Sequence, residues 1–239
     1  MSEQLALGLV ALVVGVLGIP VARWLEATTY RKPDEADVPY PGNRWWVPFA
    51  LAGASTLVVH RIWLVDDDAV PGRPVAVVLT ATLLVVTLAG VCLAAMDLDV
   101  HRLPDRIMWP TMAVLAGGML LAALVGGGPQ PLLRSVLAGV ASGGFYLLLA
   151  LASLARGSLA LGLGDVKLSV VLGGGLGWFG WPEVVAGIYA GFLVGGLLAV
   201  LLLVTRRVGW KGDFAYGPPM MVGALLGLML VPGSSAGLL

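Results

Sequence analysis

The sequence predicts an all-α polytopic membrane protein with about eight transmembrane helices and both termini extracytoplasmic. Three observations carry that expectation. Of 239 residues, 59% are hydrophobic and only 12% charged, with a mean hydropathy of +0.95, whereas soluble domains carry about 25% charged residues. Apolar runs of about 20 residues recur along the chain, the length at which a helix crosses the hydrocarbon core. Lys and Arg residues concentrate in alternate connections, as successive crossings require. A soluble enzyme, a nucleic-acid-binding module and a disordered tail are excluded.

The apolar runs fall at roughly 5–25, 45–64, 74–96, 107–126, 133–155, 166–181, 184–205 and 217–233. Only Glu3 and no cation precedes the first, so it reads as a retained span and not a cleaved signal peptide. Near the outer end of the second, His60 and Arg61 are expected to snorkel or to hydrogen-bond locally. The third ends at Met96 and contains Cys92, a small apolar helix residue. The sixth is short and glycine-rich, hence tilted, broken or only partly spanning. Glycines at four-residue spacing (Gly173 and Gly177; Gly187, Gly191 and Gly195; Gly223 and Gly227) read as close helix contacts. Trp45, Trp46, Trp178 and Trp181 sit towards span ends, as interface anchors do.

Eleven of the 14 cations (Arg23, Arg31, Lys32, Arg44, Arg102, Arg106, Arg156, Lys167, Arg206, Arg207 and Lys211) fall on one set of connections, and Arg61, Arg73 and Arg134 on the other. The first set is therefore assigned to the cytoplasm. The acidic run Asp66–Asp68 then lies outside as a solvated loop, and the polar Glu26–Arg44 stretch becomes the longest cytoplasmic loop. Net charge is zero, so no global field selects a partner. The single cysteine excludes an intramolecular disulfide and a cysteine-based zinc cluster.

Most acids fall in loops or at their edges, Glu183 among them. Asp97, Asp99, Asp105 and Asp165 instead sit at cytoplasmic span ends. Asp97 and Asp99 are two positions apart, about 200° round a continuing helix, so only one faces the bundle. Asp105 follows Pro104 and reads as a helix N-cap; Asp165 follows Gly162-Leu163-Gly164 and reads equally as a cap or a working acid. The alternating glycines permit positive φ and close backbone approach. His101 reads as a solvated loop residue. Two carboxylates held together share one proton: the ionised member takes a proton from water while the protonated one polarises a peptide carbonyl. That chemistry needs no metal and no serine or cysteine nucleophile.

These residues resemble the type IV prepilin peptidases, a family of membrane aspartic proteases. The family's first motif is matched by Asp97 with Leu103-Pro104-Asp105, its second by Gly162, Gly164, Asp165 and Lys167, and a late aromatic-Gly-Pro element by Tyr216-Gly217-Pro218. The resemblance implies an Asp97/Asp165 catalytic dyad, with the other matched residues supporting it or binding substrate. It further implies eight spans, a bacterial inner-membrane location with the site facing the cytoplasm, and a prepilin or pseudopilin substrate cut between its basic leader and its apolar helix. The lipid bilayer is the other expected partner; no nucleic acid, cofactor or metal is expected.

Bifunctional members also carry an Asn motif after the first span and four cysteines in a cytoplasmic zinc loop, associated with N-methylation. Residues 15–24 lack that Asn and the Glu26–Arg44 loop has no cysteine. The chain is thus divided into a degenerate methyltransferase-like segment, 1–73, and a six-helix peptidase core, 74–239. The cations around the acids fit a basic leader poorly. Alternatives are a proton- or ion-coupled transporter, whose acids belong near the bilayer midplane, and a silent assembly factor in which both acids merely cap helices. Presenilin-like proteases share Gly-x-Gly-Asp but pair it with Tyr-Asp, where Met96 precedes Asp97 here.

Overall fold

The structure is a computed structural model that describes residues 3–35, 37–65, 68–155, 161–205 and 215–231. Asp66, Asp67, Arg156, Arg206, Arg207, Lys211 and Asp213, assigned above to loops, lie outside the described residues. Within them there are eight α-helices and no strand: α1 (Glu3–Glu26), α2 (Trp46–Trp63), α3 (Arg73–Val100), α4 (Asp105–Ala122), α5 (Pro129–Ala155), α6 (Leu163–Phe179), α7 (Trp181–Val204) and α8 (Gly217–Leu230). Each lies on one of the expected apolar runs. Five are long and apolar enough to cross a membrane: α1, α3, α4 with its wide final turn to Gly127, α5 and α7. The other three, α2, α6 and α8, are shorter, at 18, 17 and 14 residues.

Local chemistry sets the helix ends. Prolines open α3, α7 and α8, where the missing N–H had no intrahelical acceptor in any case. The α4–α5 turn needs left-handed backbone at Gly126 (φ +134°) and Gly128 (φ +76°), which glycine adopts without a Cβ penalty. Consecutive helices pair as α1 with α2, α3 with α4, α5 with α6 and α7 with α8, and α6 also contacts α4, α7 and α8. That central position buries Leu168, Val171, Leu176, Trp178 and Phe179. By contrast α1 exposes Leu5, Leu9, Leu12 and Val16.

In lipid the hydrophobic effect does not draw such helices together, so close packing must. Glycine supplies the closeness. Gly223 and Gly227 of α8 lie against the backbone of Gly191 and Gly187, and a Cβ on Gly227 would come within 2.6 Å of the Glu183 carbonyl oxygen. On α6, a Cβ on Gly177 would stand 3.0 Å from the Arg134 carbonyl oxygen of α5.

Several expectations are corrected. Helix α3 does not end at Met96; it runs through Asp97 and Asp99 to Val100 and closes on His101 in the left-handed region, whose N–H donates to the Asp97 carbonyl at 2.9 Å. Arg61 does not snorkel. It is 1% exposed, donates from Nε to the Leu228 carbonyl at 3.1 Å, pairs with Glu183 at 3.4 Å and lies 4.7 Å over the Phe179 ring. Its partner explains this: α7 starts at Trp181, which draws Glu183 into the first helical turn, inside the bundle and not at a loop edge.

Trp178 is no interface anchor. It is fully buried, with Nε1 donating to the Ala69 carbonyl at 2.9 Å, because central α6 carries it inward. Arg134 is likewise not a simple loop cation: it donates to the carbonyls of Gly177, Trp178 and Phe179 at 2.8, 2.5 and 2.9 Å, closing the C-terminus of α6. Helix ends leave such carbonyls without intrahelical partners.

Candidate active site

The three sequence motifs converge where α3 ends and α4, α6 and α8 begin. Because α3 continues as a helix, Asp97 and Asp99 point to different neighbours. Asp97 Oδ2 accepts the Gly217 N–H at 2.9 Å, one of the amides that open α8 and lack an intrahelical acceptor. The approach depends on the absence of a side chain, since a Cβ on Gly217 would stand 2.8 Å from Asp97 Oδ2.

Asp165 lies in the first turn of α6 and folds back on it, with Oδ2 accepting the Gly162 N–H at 3.0 Å. This is a capping contact made from inside the helix, not from the N-cap position, which Gly162 occupies. Gly162 has φ −80°, so the positive φ that alternating glycines allow is not used there. Gly164 serves for close approach instead: a Cβ on it would stand 3.0 Å from Leu103 Cβ. Leu103 also approaches Gly217, 3.6 Å from the position of a Cβ there. One leucine from the first motif therefore lies against both others.

Asp105 is corrected from N-cap to first helical residue. Pro104 holds the cap position with extended backbone, and the Asp105 carboxylate instead receives the Lys167 ammonium at 2.6 Å, tying the first motif to the second. Lys167 also stands 5.5 Å from the Trp109 ring centre. In the third motif, Tyr216 precedes α8 and joins Tyr146 and Phe192 in an aromatic cluster, with ring centres 6.3 and 5.8 Å away. Pro218 is half-buried in the first turn of α8.

Other residues at this end were not anticipated. Asp99 accepts Arg31 through Nε at 3.0 Å and Nη2 at 2.6 Å, and the Tyr30 hydroxyl at 2.5 Å, with Arg44 at 3.8 Å. Arg102 forks onto Glu35, both bonds 2.8 Å long. Burial works against the Glu35 anion, but the Arg102 fork outweighs it and holds the carboxyl below its usual range. The Asp99 carboxylate beside Arg31 raises that guanidinium further. No local spacing announces such partners: Tyr30 and Asp99 are 69 residues apart, Glu35 and Arg102 67. Between this loop and the ends of α3, α4 and α6 lies a cleft of about 760 Å³, bordered by Tyr30, Lys32, Met96, Leu103, Asp105 and Gly164. Among the described residues, no group of three or more His, Cys, Asp or Glu is placed to hold a metal ion.

Comparison with known proteins bears on this end of the bundle. A prepilin leader peptidase/N-methyltransferase of Aeromonas salmonicida (strain A449) is 31% identical over 153 residues, 63% of this chain and 49% of the relative. The protein of the same description from Aeromonas hydrophila gives the same figures. That from Dickeya chrysanthemi is 35% identical over 146 residues, 59% and 47% of the two chains. The chain thus spans about half the length of the curated relatives it matches. No solved structure matches it. The type IV leader peptidase family is matched over residues 83–204, which include Asp97, Asp165 and their flanking motifs, and the chain belongs to that family.

Proposed function

We propose that this protein is a membrane aspartic endopeptidase that removes the cytoplasmic leader of type IV prepilins or pseudopilins, with Asp97 and Asp165 as its catalytic pair. The observation that carries this reading is how the acids are partnered. Among the described residues Asp99, Glu183, Glu35 and Asp105 each pair with an Arg or Lys. For Asp97 and Asp165, among the same residues, the hydrogen bonds come from backbone N–H groups, as they do for Glu26 at the end of α1; Asp97 and Asp165 are the two of these that lie in the matched motifs. A carboxylate gripped by a guanidinium or ammonium is held in its charged form by a counter-charge; one that accepts a single neutral amide bond is held less strongly and keeps no such counter-charge.

In the reaction one carboxylate is ionised and the other protonated. The ionised member takes a proton from a water whose oxygen attacks the scissile carbonyl carbon, while the protonated member delivers its proton to the carbonyl oxygen. On collapse the carboxyl that took the water proton gives it to the departing nitrogen, the C–N bond breaks, and the other carboxylate recovers a proton from a hydroxyl of the tetrahedral carbon, which restores the pair. Oδ2 of each acid accepts an amide bond, and the reading assigns Oδ1 to water and substrate. The cleft admits the extended leader segment, and the substrate's apolar helix docks laterally in the bilayer.

This reading includes eight spans, extracytoplasmic termini, an inner-membrane location and a cytoplasm-facing site. It also keeps the division into a 1–73 segment and a 74–239 peptidase core. Methyl transfer is not part of it, since Cys92 is the only cysteine and lies within α3. The test is mass spectrometry of a co-expressed pilin's N-terminus. Cleavage by the wild type, with Asp97→Asn and Asp165→Asn accumulating in the membrane but leaving the leader intact, is expected. Processing by either variant at near wild-type rate refutes the dyad.

A further inference from the structure

Among the described residues, two bidentate ion pairs of opposite polarity join the Glu26–Arg44 loop to the core, and Arg44 at its end adds a longer contact with Asp99 at 3.8 Å. In one, loop Arg31 forks onto Asp99 of α3; in the other, Arg102, just past α3, forks onto loop Glu35. Bidentate Arg–carboxylate pairs fix orientation as well as distance. Arg31 also donates to the carbonyls of Val38 and Pro39 at 2.7 and 2.9 Å, so one guanidinium ties two stretches of the loop, at residues 31 and 38–39, to one acid. The Asp99 side chain is 2% exposed, and Arg44 beside it 5%. Removing the acid would leave buried cations without their counter-charge, and the loop would have to open to hydrate them.

We propose that Asp99 is a positioning residue: its clamp on Tyr30, Arg31 and Arg44 holds the loop as the wall of the cleft that selects and aligns the substrate segment. This rests on the peptidase reading above. The placement carries it, because Tyr30, Arg31, Lys32 and Pro33 border the cleft opposite Leu103, Asp105 and Gly164. Asp97, on another face of the same helix end, hydrogen-bonds α8 and not the loop. Loosening the loop therefore weakens substrate alignment while the Asp97 contact persists.

The experiment uses the full-length protein in lipid nanodiscs and compares wild type with Asp99→Asn, Arg102→Gln and Asp97→Asn. Amide hydrogen exchange over residues 28–40 and steady-state cleavage of a prepilin are measured on each. Asp99→Asn is expected to speed loop exchange at least tenfold and raise KM at least fivefold, with kcat within about threefold of wild type. Arg102→Gln, which breaks the second pair only, is expected to shift both in the same direction and keeps the test alive if Asp99→Asn fails to fold. Asp97→Asn should abolish cleavage while the loop stays protected. Unchanged loop exchange in the clamp variants, or a fall in kcat at constant KM, overturns the proposal. Cleavage by Asp97→Asn would instead overturn the dyad, leaving the exchange result to judge the clamp.

Discussion

Gly217→Ala tests the Asp97 geometry with a single methyl group. Glycine is not needed at position 217 for backbone reasons, since its φ is not in the left-handed region. It is the first residue of α8, and alanine favours helix over glycine by up to about 1 kcal/mol. Local propensity therefore argues for a neutral or stabilising change. The contact argues the other way. The new Cβ would stand 2.8 Å from Asp97 Oδ2 and 3.4 Å from its Cγ, so the carboxylate must move by about half an ångström to reach ordinary contact. Misplacing a reacting group by about 1 Å can cost about 100-fold in rate, so kcat should fall about 10- to 100-fold, or roughly 1.4–2.7 kcal/mol of barrier. The assay is prepilin cleavage under saturating substrate, with a thermal melt of the same sample. A melt within a few degrees of wild type together with depressed kcat is expected. Wild-type kcat in Gly217→Ala would refute the idea that the amide of residue 217 positions a working carboxylate.

Glu183→Gln should destabilise the bundle by about 3 kcal/mol, because it takes a buried counter-charge from Arg61; it is read by denaturant titration and contradicted by an unchanged midpoint. The Glu35 carboxyl is held below its ordinary value of 4.5, so its contribution to loop anchoring is complete above about pH 4.5 and fades as pH falls through the lower folded value. Loop exchange, corrected for intrinsic rates, should therefore quicken on acidification in wild type and much less in Glu35→Gln; identical profiles would exclude Glu35 as the source. Cleavage should also survive chelation by EDTA or phenanthroline, since the proposed chemistry runs through two carboxyl groups.

Helix identity was legible because apolar run length is a direct consequence of bilayer thickness, and the helices lie on the expected runs. Helix ends were less so. Asp97 looked like a span end because charge normally marks one, yet α3 continues past it, with both carboxylates satisfied by partners distant in sequence. The same blindness hid Arg61 and Glu183, 122 residues apart. A buried ion pair looks like two surface residues until the topology joins them. Glycine spacing, in contrast, was informative because helix geometry alone puts residues four apart on one face, and Gly187 and Gly191 do meet Gly227 and Gly223.

The cations around the site lose their apparent conflict with a basic leader once their partners are known. Of the five that border the cleft, Arg31, Arg102 and Lys167 are paired with Asp99, Glu35 and Asp105. A paired cation contributes little field beyond a few ångströms, because the ion pair acts as a dipole and salt screens the remainder within about 10 Å. Among the described residues Lys32 and Arg106 are left without a side-chain ion pair. A leader that enters between them meets roughly two charges, not five. The charge count on which the expected orientation rests would therefore overstate the positive potential met by the proposed leader, since three of the five cations at the cleft carry an acidic partner.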